Sequence, residues 1–133
     1  MPIRNRFAEL HSEIAGWRQS LHAHPELQFD VHWTAAFVAE RLGEFGCDEV
    51  VTGIGRTGVG ALIKGRGASS GRVVGLRADM DALPIHEETG VEYASQVPGK
   101  MHACGHDGHT AMLLGAAKYL CETRNFAGTV AVI

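Results

Sequence analysis

Apolar residues recur at spacings of three and four in two stretches near the start of the chain. Phe7, Leu10, Ile14, Trp17 and Leu21 form one stripe, and Val31, Ala35, Val38, Leu42 and Phe45 form another. That period places one face of an α-helix against a core. Pro25 lies just past the first helix, because the residue before a proline is pushed out of helical geometry. Asp30 reads as the N-cap of the second helix and Gly46 as its close. His22 and His24 fall at the end of the first helix. There they read as structural residues near the negative pole of the helix dipole rather than as ligands.

The period then changes. Glu49 to Val51, Val59 to Lys64 and Arg72 to Leu76 are short β-branched or apolar runs separated by glycines and serines, so they read as strands. Gly65 to Gly71 reads as a hairpin loop or surface excursion, and Ile85 to Lys100 as a polar loop with room for a short helix. A third helix, marked by Leu113, Ala116, Ala117 and Leu120, is expected to begin near Asp107 or Gly108, with Asp107 as its cap. Val130 to Ile133 reads as a strand of the buried parallel kind. The sequence therefore reads as a portion of something longer. The resulting fold class is α/β, a mixed sheet flanked by helices.

Gly53-Ile54-Gly55-Arg56-Thr57-Gly58 has the spacing of a dinucleotide-binding fingerprint. That motif needs a helix after it, so that the helix N-terminus meets the phosphate. An apparent strand follows instead, and the segment reads as a glycine-rich turn.

Composition narrows the function classes. The chain has 133 residues, enough for one domain with a core, and a net charge of −3. No basic run gives nucleic acid a footprint. No apolar run is long enough to span a membrane, and no signal peptide is apparent. Three widely spaced cysteines argue against a disulfide framework and suit a reducing cytoplasm.

Chemistry is concentrated in His102-Ala103-Cys104-Gly105-His106-Asp107-Gly108-His109. Thiolate and imidazole are ligands of borderline-soft metals such as zinc. Cys104 and His106, two apart, share a side in extended chain and are the first candidates. His102 and His109 are left between metal, substrate and supporting roles. A thiol-nucleophile reading of Cys104 stays open, because nearby imidazoles lower a thiol's pKa. Asp79 and Asp81 follow the apolar Val73-Val74 run, and also share a face. They suit a site beyond a strand's carboxyl end and equally an acidic turn before Pro84.

These motifs carry a family likeness. Leu21-His22-Ala23-His24-Pro25-Glu26-Leu27, Gly53 to Gly58, Leu76 to Ile85 and Met101 to Thr110 resemble the N-terminal part of one group of amidohydrolases. The group includes hippurate hydrolase, N-acyl-amino-acid hydrolases and auxin-conjugate hydrolases, within the co-catalytic metallopeptidases. The resemblance implies a zinc-peptidase-like catalytic domain, of which residues 1–133 are the N-terminal portion. It implies cleavage of N-acyl amino acids with two divalent metal ions: zinc, manganese, cobalt or nickel. By position, Cys104 and His106 match metal ligands, and Asp81 matches the family's catalytic aspartate. Asp79 stands where other branches carry a metal-binding histidine. The family's general-base glutamate, further ligands and lid domain would lie beyond these residues. The isolated chain is thus expected to be inactive, and to self-associate through an unpaired edge of the strand at Val130 to Ile133. The alternatives are a non-catalytic metal-binding or assembly module, and a cysteine-nucleophile hydrolase.

Overall fold

A computed structural model describes residues 2–133. Helix α1 spans Ile3–Ala23, α2 His32–Glu44 and α3 His106–Thr123; the strands are β1 Glu49–Ile54, β2 Gly58–Lys64, β3 Val73–Leu76 and β4 Thr129–Val132. The sheet order is β1-β2-β4-β3. β2 is antiparallel to both β1 and β4, while β3 runs parallel to β4. The sheet is therefore mixed, as expected.

Both sequence stripes face the core. Leu10, Trp17 and Leu21 of α1 are buried, as are Ala35, Val38 and Leu42 of α2. Helices α2 and α3 pack on the sheet, and α1 packs on α3. β2 supplies Val59, Ala61 and Ile63 at alternate positions, all buried, while its intervening residues are half-covered. That is the period of a strand with one face on a core. Gly65 follows it under the Phe126 backbone: a Cβ there would lie 2.0 Å from the Phe126 carbonyl oxygen. Only glycine lets the two segments come this close.

Several local expectations are corrected. Asp30 does not cap α2; its side chain is largely exposed. Glu26 folds back instead and accepts the amides of Trp33 and Thr34 at 3.0 and 2.7 Å. A carboxylate there satisfies two orphan donors and suits the positive helix end. Helix α3 begins at His106, after Gly105 at φ 84°, so Asp107 falls inside its first turn and is not the cap. Residues 85–100 contain turns and no helix. The Gly53 to Gly58 turn leads into β2, with a register irregularity between Thr52 and Ile54, so no helix N-terminus is available to a phosphate.

The expected free edge at Val130 to Ile133 is also corrected. β4 is hydrogen-bonded on both sides, by β2 and β3. The sheet edges are β1 and β3, and Val73 and Val74 of β3 are 64% and 57% exposed. Sequence order gave no hint that the last strand inserts between earlier ones. Among the described residues, no helix is long and apolar enough to cross a membrane.

Candidate metal centre

The parallel pair β3 and β4 ends just before Asp79 and Asp81. The Ala78 amide still bonds the Ile133 carbonyl, at 3.0 Å, and the backbone then departs through Asp79 and Asp81. Isolated bridges Leu27↔Ala82 and Leu83↔Met101 hold the departing segment on both sides. The second of them delivers Met101, and hence the turn 102–105, to the same end of the sheet. Gly105 adopts left-handed geometry, which a Cβ would strain, and α3 starts immediately.

The first turn of α3 therefore faces Asp79 and Asp81. Thr110 fixes the arrangement by donating its hydroxyl to the Asp79 carbonyl, 2.8 Å away. His106 Nδ1 lies 2.9 Å from Asp81 Oδ1 and His109 Nδ1 lies 2.8 Å from Asp79 Oδ1. Each carboxylate accepts, so each Nδ1 donates and each Nε2 faces away from that bond. His106 Nε2 sits 3.4 Å from Asp79 Oδ2. The two imidazoles stack, with centroids 5.5 Å apart.

Asp79, His106 and His109 each offer a donor atom, all within 4.8 Å of one another. Imidazole nitrogen with carboxylate oxygen is a donor set suited to divalent zinc, manganese, cobalt or nickel. Asp81 on the far nitrogen of His106 completes the carboxylate–imidazole arrangement that orients metal-binding histidines. The residues thus fit a divalent ion. Burial alone would raise the Asp79 carboxyl, but the His109 hydrogen bond and the nearby His106 outweigh it and hold it below its ordinary value.

Cys104 is exposed in the turn, beside this group but outside it. His102 is buried, and both of its ring nitrogens lack a partner. Burial lowers its pKa, which favours neutral imidazole.

Beneath the turn lies a polar hub that the sequence reading missed. His22 is buried, with Nδ1 2.7 Å from Asp107 Oδ2 and Nε2 2.9 Å from Glu87 Oε1. Both nitrogens face carboxylates, so the ring bridges two acidic side chains. Arg18 adds a second bond to Asp107, at 2.9 Å. The end of α1 thereby anchors the start of α3 and the loop after Pro84. His24 keeps the helix-end role expected of it: its ring lies 2.8 Å from the Ser20 carbonyl and stacks on Trp33.

An open cavity of about 820 Å³ adjoins the acidic pair. Val38, Leu42, Leu114 and Val132 form its floor, and Arg77, Asp79 and Asp81 are at its rim.

Residues 75–133 match the model of peptidase family M20/M25/M40. Over 123 residues, 92% of this chain, it is 50% identical to an N-acyl-L-amino acid amidohydrolase of Geobacillus stearothermophilus and covers 32% of that protein. It is 51% identical to a hippurate hydrolase of Campylobacter jejuni, again over 92% of this chain and 31% of the relative. A solved dinuclear metal-binding peptidase of the M20 family from Bacillus subtilis superposes with a TM-score of 0.86 at 42% identity, covering 94% of this chain and 35% of that one. The chain spans about a third of the length of the curated relatives it matches.

Proposed function

We propose that the chain belongs to the peptidase family M20/M25/M40 and is the N-terminal portion of a catalytic domain that hydrolyses N-acyl amino acids. The observation that carries this reading is the convergence of Asp79, Asp81, His106 and His109 at the carboxyl ends of β3 and β4. Names of the relatives support the substrate class: one acts on N-acyl-L-amino acids and another on hippurate.

In this reading Cys104 and His106 are metal ligands. His106 would offer an imidazole nitrogen, and Cys104, exposed in the turn before α3, would offer its thiolate. Asp81 holds the His106 ring by its Nδ1 proton, and so keeps the nitrogen lone pair aimed at one place. The Asp79–His109 pair supplies a further oxygen and nitrogen beside it. Divalent ions, two in the complete site, would polarise the amide carbonyl and acidify a water molecule. The apolar cavity beside Asp79 and Asp81 is the nearest space for an acyl group. Three free thiols fit a cytoplasmic setting.

The general base implied by the resemblance lies outside these 133 residues, so the isolated chain is inactive in this proposal. The test compares this chain with a longer protein carrying the segments its relatives possess. Both are assayed on hippurate and N-acetyl amino acids, before and after chelation. Metal-dependent hydrolysis by the longer protein alone is the expected result. Metal binding without turnover in the longer protein would favour the alternative of a non-catalytic metal-binding module.

A further inference from the structure

Two of the three cysteines meet at the end of the fold remote from the candidate metal centre. Cys47, just after α2, and Cys121, in the last turn of α3, are 74 residues apart in sequence, yet their Sγ atoms are 3.6 Å apart. Cys47 is half-buried and Cys121 is buried. A disulfide needs its sulfurs about 2 Å apart, so small side-chain rotations would close this gap.

The approach is fixed by backbone on both sides. Arg124, immediately past α3, donates to the Gly46 carbonyl at 2.7 Å and to the Asp48 carboxylate at 2.6 Å. These are the two neighbours of Cys47 in the chain. A third bond from Arg124, at 2.9 Å, reaches the Lys64 carbonyl. One guanidinium thus clasps the segment carrying Cys47 to the end of the helix carrying Cys121. Arg124 itself has φ 47°, a left-handed geometry uncommon outside glycine. That geometry turns the chain at the end of α3, where the guanidinium makes its three bonds.

We propose that Cys47 and Cys121 are a peroxide-responsive dithiol that closes to an intramolecular disulfide, stapling the segment after α2 to α3. Hydrogen peroxide is the oxidant. The Cys121 sulfur attacks one peroxide oxygen and the O–O bond breaks. The departing hydroxide takes up the proton released from Cys121 and leaves as water. Cys121 is now a sulfenic acid. The Cys47 sulfur attacks it, the S–S bond forms, the S–O bond breaks, and hydroxide leaves as a second water with the Cys47 proton. Two thiols are oxidised and one peroxide is reduced to two waters.

The order of the two sulfurs can be exchanged without changing the balance of the reaction. Either sulfur can donate in this contact, and the charge of Arg124 favours thiolate at both, against their burial. The shared hydrogen bond lets one thiol hold the proton while the other attacks as thiolate. A small oxidant suits a buried thiolate better than a bulky disulfide reagent would. The reactive pair is independent of Cys104, which lies at the opposite end of α3.

The test treats the reduced 133-residue chain with increasing hydrogen peroxide, then digests it under conditions that preserve disulfides. Exposed Cys104 is the internal control, because its oxidation proves that the oxidant was sufficient. The expected result is a monomer in which the peptides carrying Cys47 and Cys121 are joined, lighter by two hydrogen atoms. The oxidised chain should also melt at a higher temperature, and a reductant should reverse both changes. Cys47→Ser and Cys121→Ser should each abolish the link and the melting shift; Cys47→Ala, at the less buried position, covers the case in which the Cys121 variant does not fold. Free thiols at both positions after Cys104 has been oxidised would overturn the proposal. So would sulfinic acid without linkage, or a link from either cysteine to Cys104.

Discussion

His106 Nδ1 and Asp81 Oδ1 are 2.9 Å apart, although 25 residues separate them in the chain. The bond fixes which imidazole nitrogen is free. Asp81 is therefore a positioning residue for His106, and its loss should be felt in metal affinity rather than folding. In a longer protein containing this segment, Asp81→Asn is expected to weaken metal binding or turnover by about 10–100-fold. Its melting temperature should stay nearly constant, since the side chain is 40% exposed. Equilibrium dialysis with zinc or manganese, beside a thermal melt, reads both quantities. Unchanged affinity would remove Asp81 from the site.

Ligand substitutions test the donor assignment. Cys104→Ala combined with His106→Ala should remove most bound metal from the longer protein, by elemental analysis. His109→Ala should remove less, because its side chain is 48% exposed against 17% for His106. A double variant that keeps its metal would exclude Cys104 and His106 together.

The hub under the turn predicts a stability effect. His22 lies between Asp107 and Glu87, whose side chains are 0% and 3% exposed. His22→Ala leaves both carboxylates buried with fewer partners. Leaving a buried acceptor without its hydrogen-bond partner typically costs about 1–3 kcal/mol. Urea unfolding of the 133-residue chain should show a loss of that order. A loss below about 1 kcal/mol would mean that water or Arg18 replaces the histidine.

Acid should loosen the far end of the fold. The Lys64 amide and Arg124 hold the Asp48 carboxyl below its ordinary value. Arg6 does the same for Glu122, with burial opposing it. A depressed carboxyl contributes stability that is fully present above its unfolded pKa, about 3.9 for Asp and 4.3 for Glu. The contribution is lost as pH falls through the folded value. Melting temperature should therefore be steady above about pH 5 and drop below it. Asp48→Asn should lower the plateau and shallow the drop. An unchanged acid slope in that variant would show that Asp48 contributes nothing to it.

Glycine at position 65 is required by close approach rather than by turn geometry. Gly65→Ala should destabilise the chain by about 1–3 kcal/mol or more, because the obstacle is the Phe126 backbone. Gly115→Ala should cost less, since the nearest atom there is the end of the Ile14 side chain. Denaturant midpoints of the two variants give the comparison directly.

The helices and strands were legible because their signal is local. A period of three to four marked α1 and α2, and β-branched runs between glycines marked β1 to β3. The Cys104–His106 segment was legible by its density of donors. Pairings across long separations were not. Asp79 meets His109 across 30 residues, and His22 meets Glu87 across 65. Nothing periodic connects such partners; the sheet and the bridge from Leu83 to Met101 bring them together. Glu26 replaced Asp30 as the cap of α2 for a similar reason. The cap rule looks one residue before the helix, whereas a longer side chain folded back from the preceding turn. Cys47 and Cys121 looked unrelated for as long as distance was measured along the chain.

The central position of β4 also sets the order in which the sheet can assemble. During synthesis the hairpin of β1 and β2 emerges early, and its local pairing needs no later residue. β3 emerges next and has no neighbour to bond. It waits through the loop and all of α3 until β4 arrives to join it to β2. The nascent chain thus carries β3 with its backbone unpaired for the time taken to make α3, an interval in which chaperone binding is favoured. Closing the sheet depends on contacts far apart in sequence, so it should be the slow step of folding. Helix α3, which carries the first turn of the candidate metal centre, is synthesised before that step can occur.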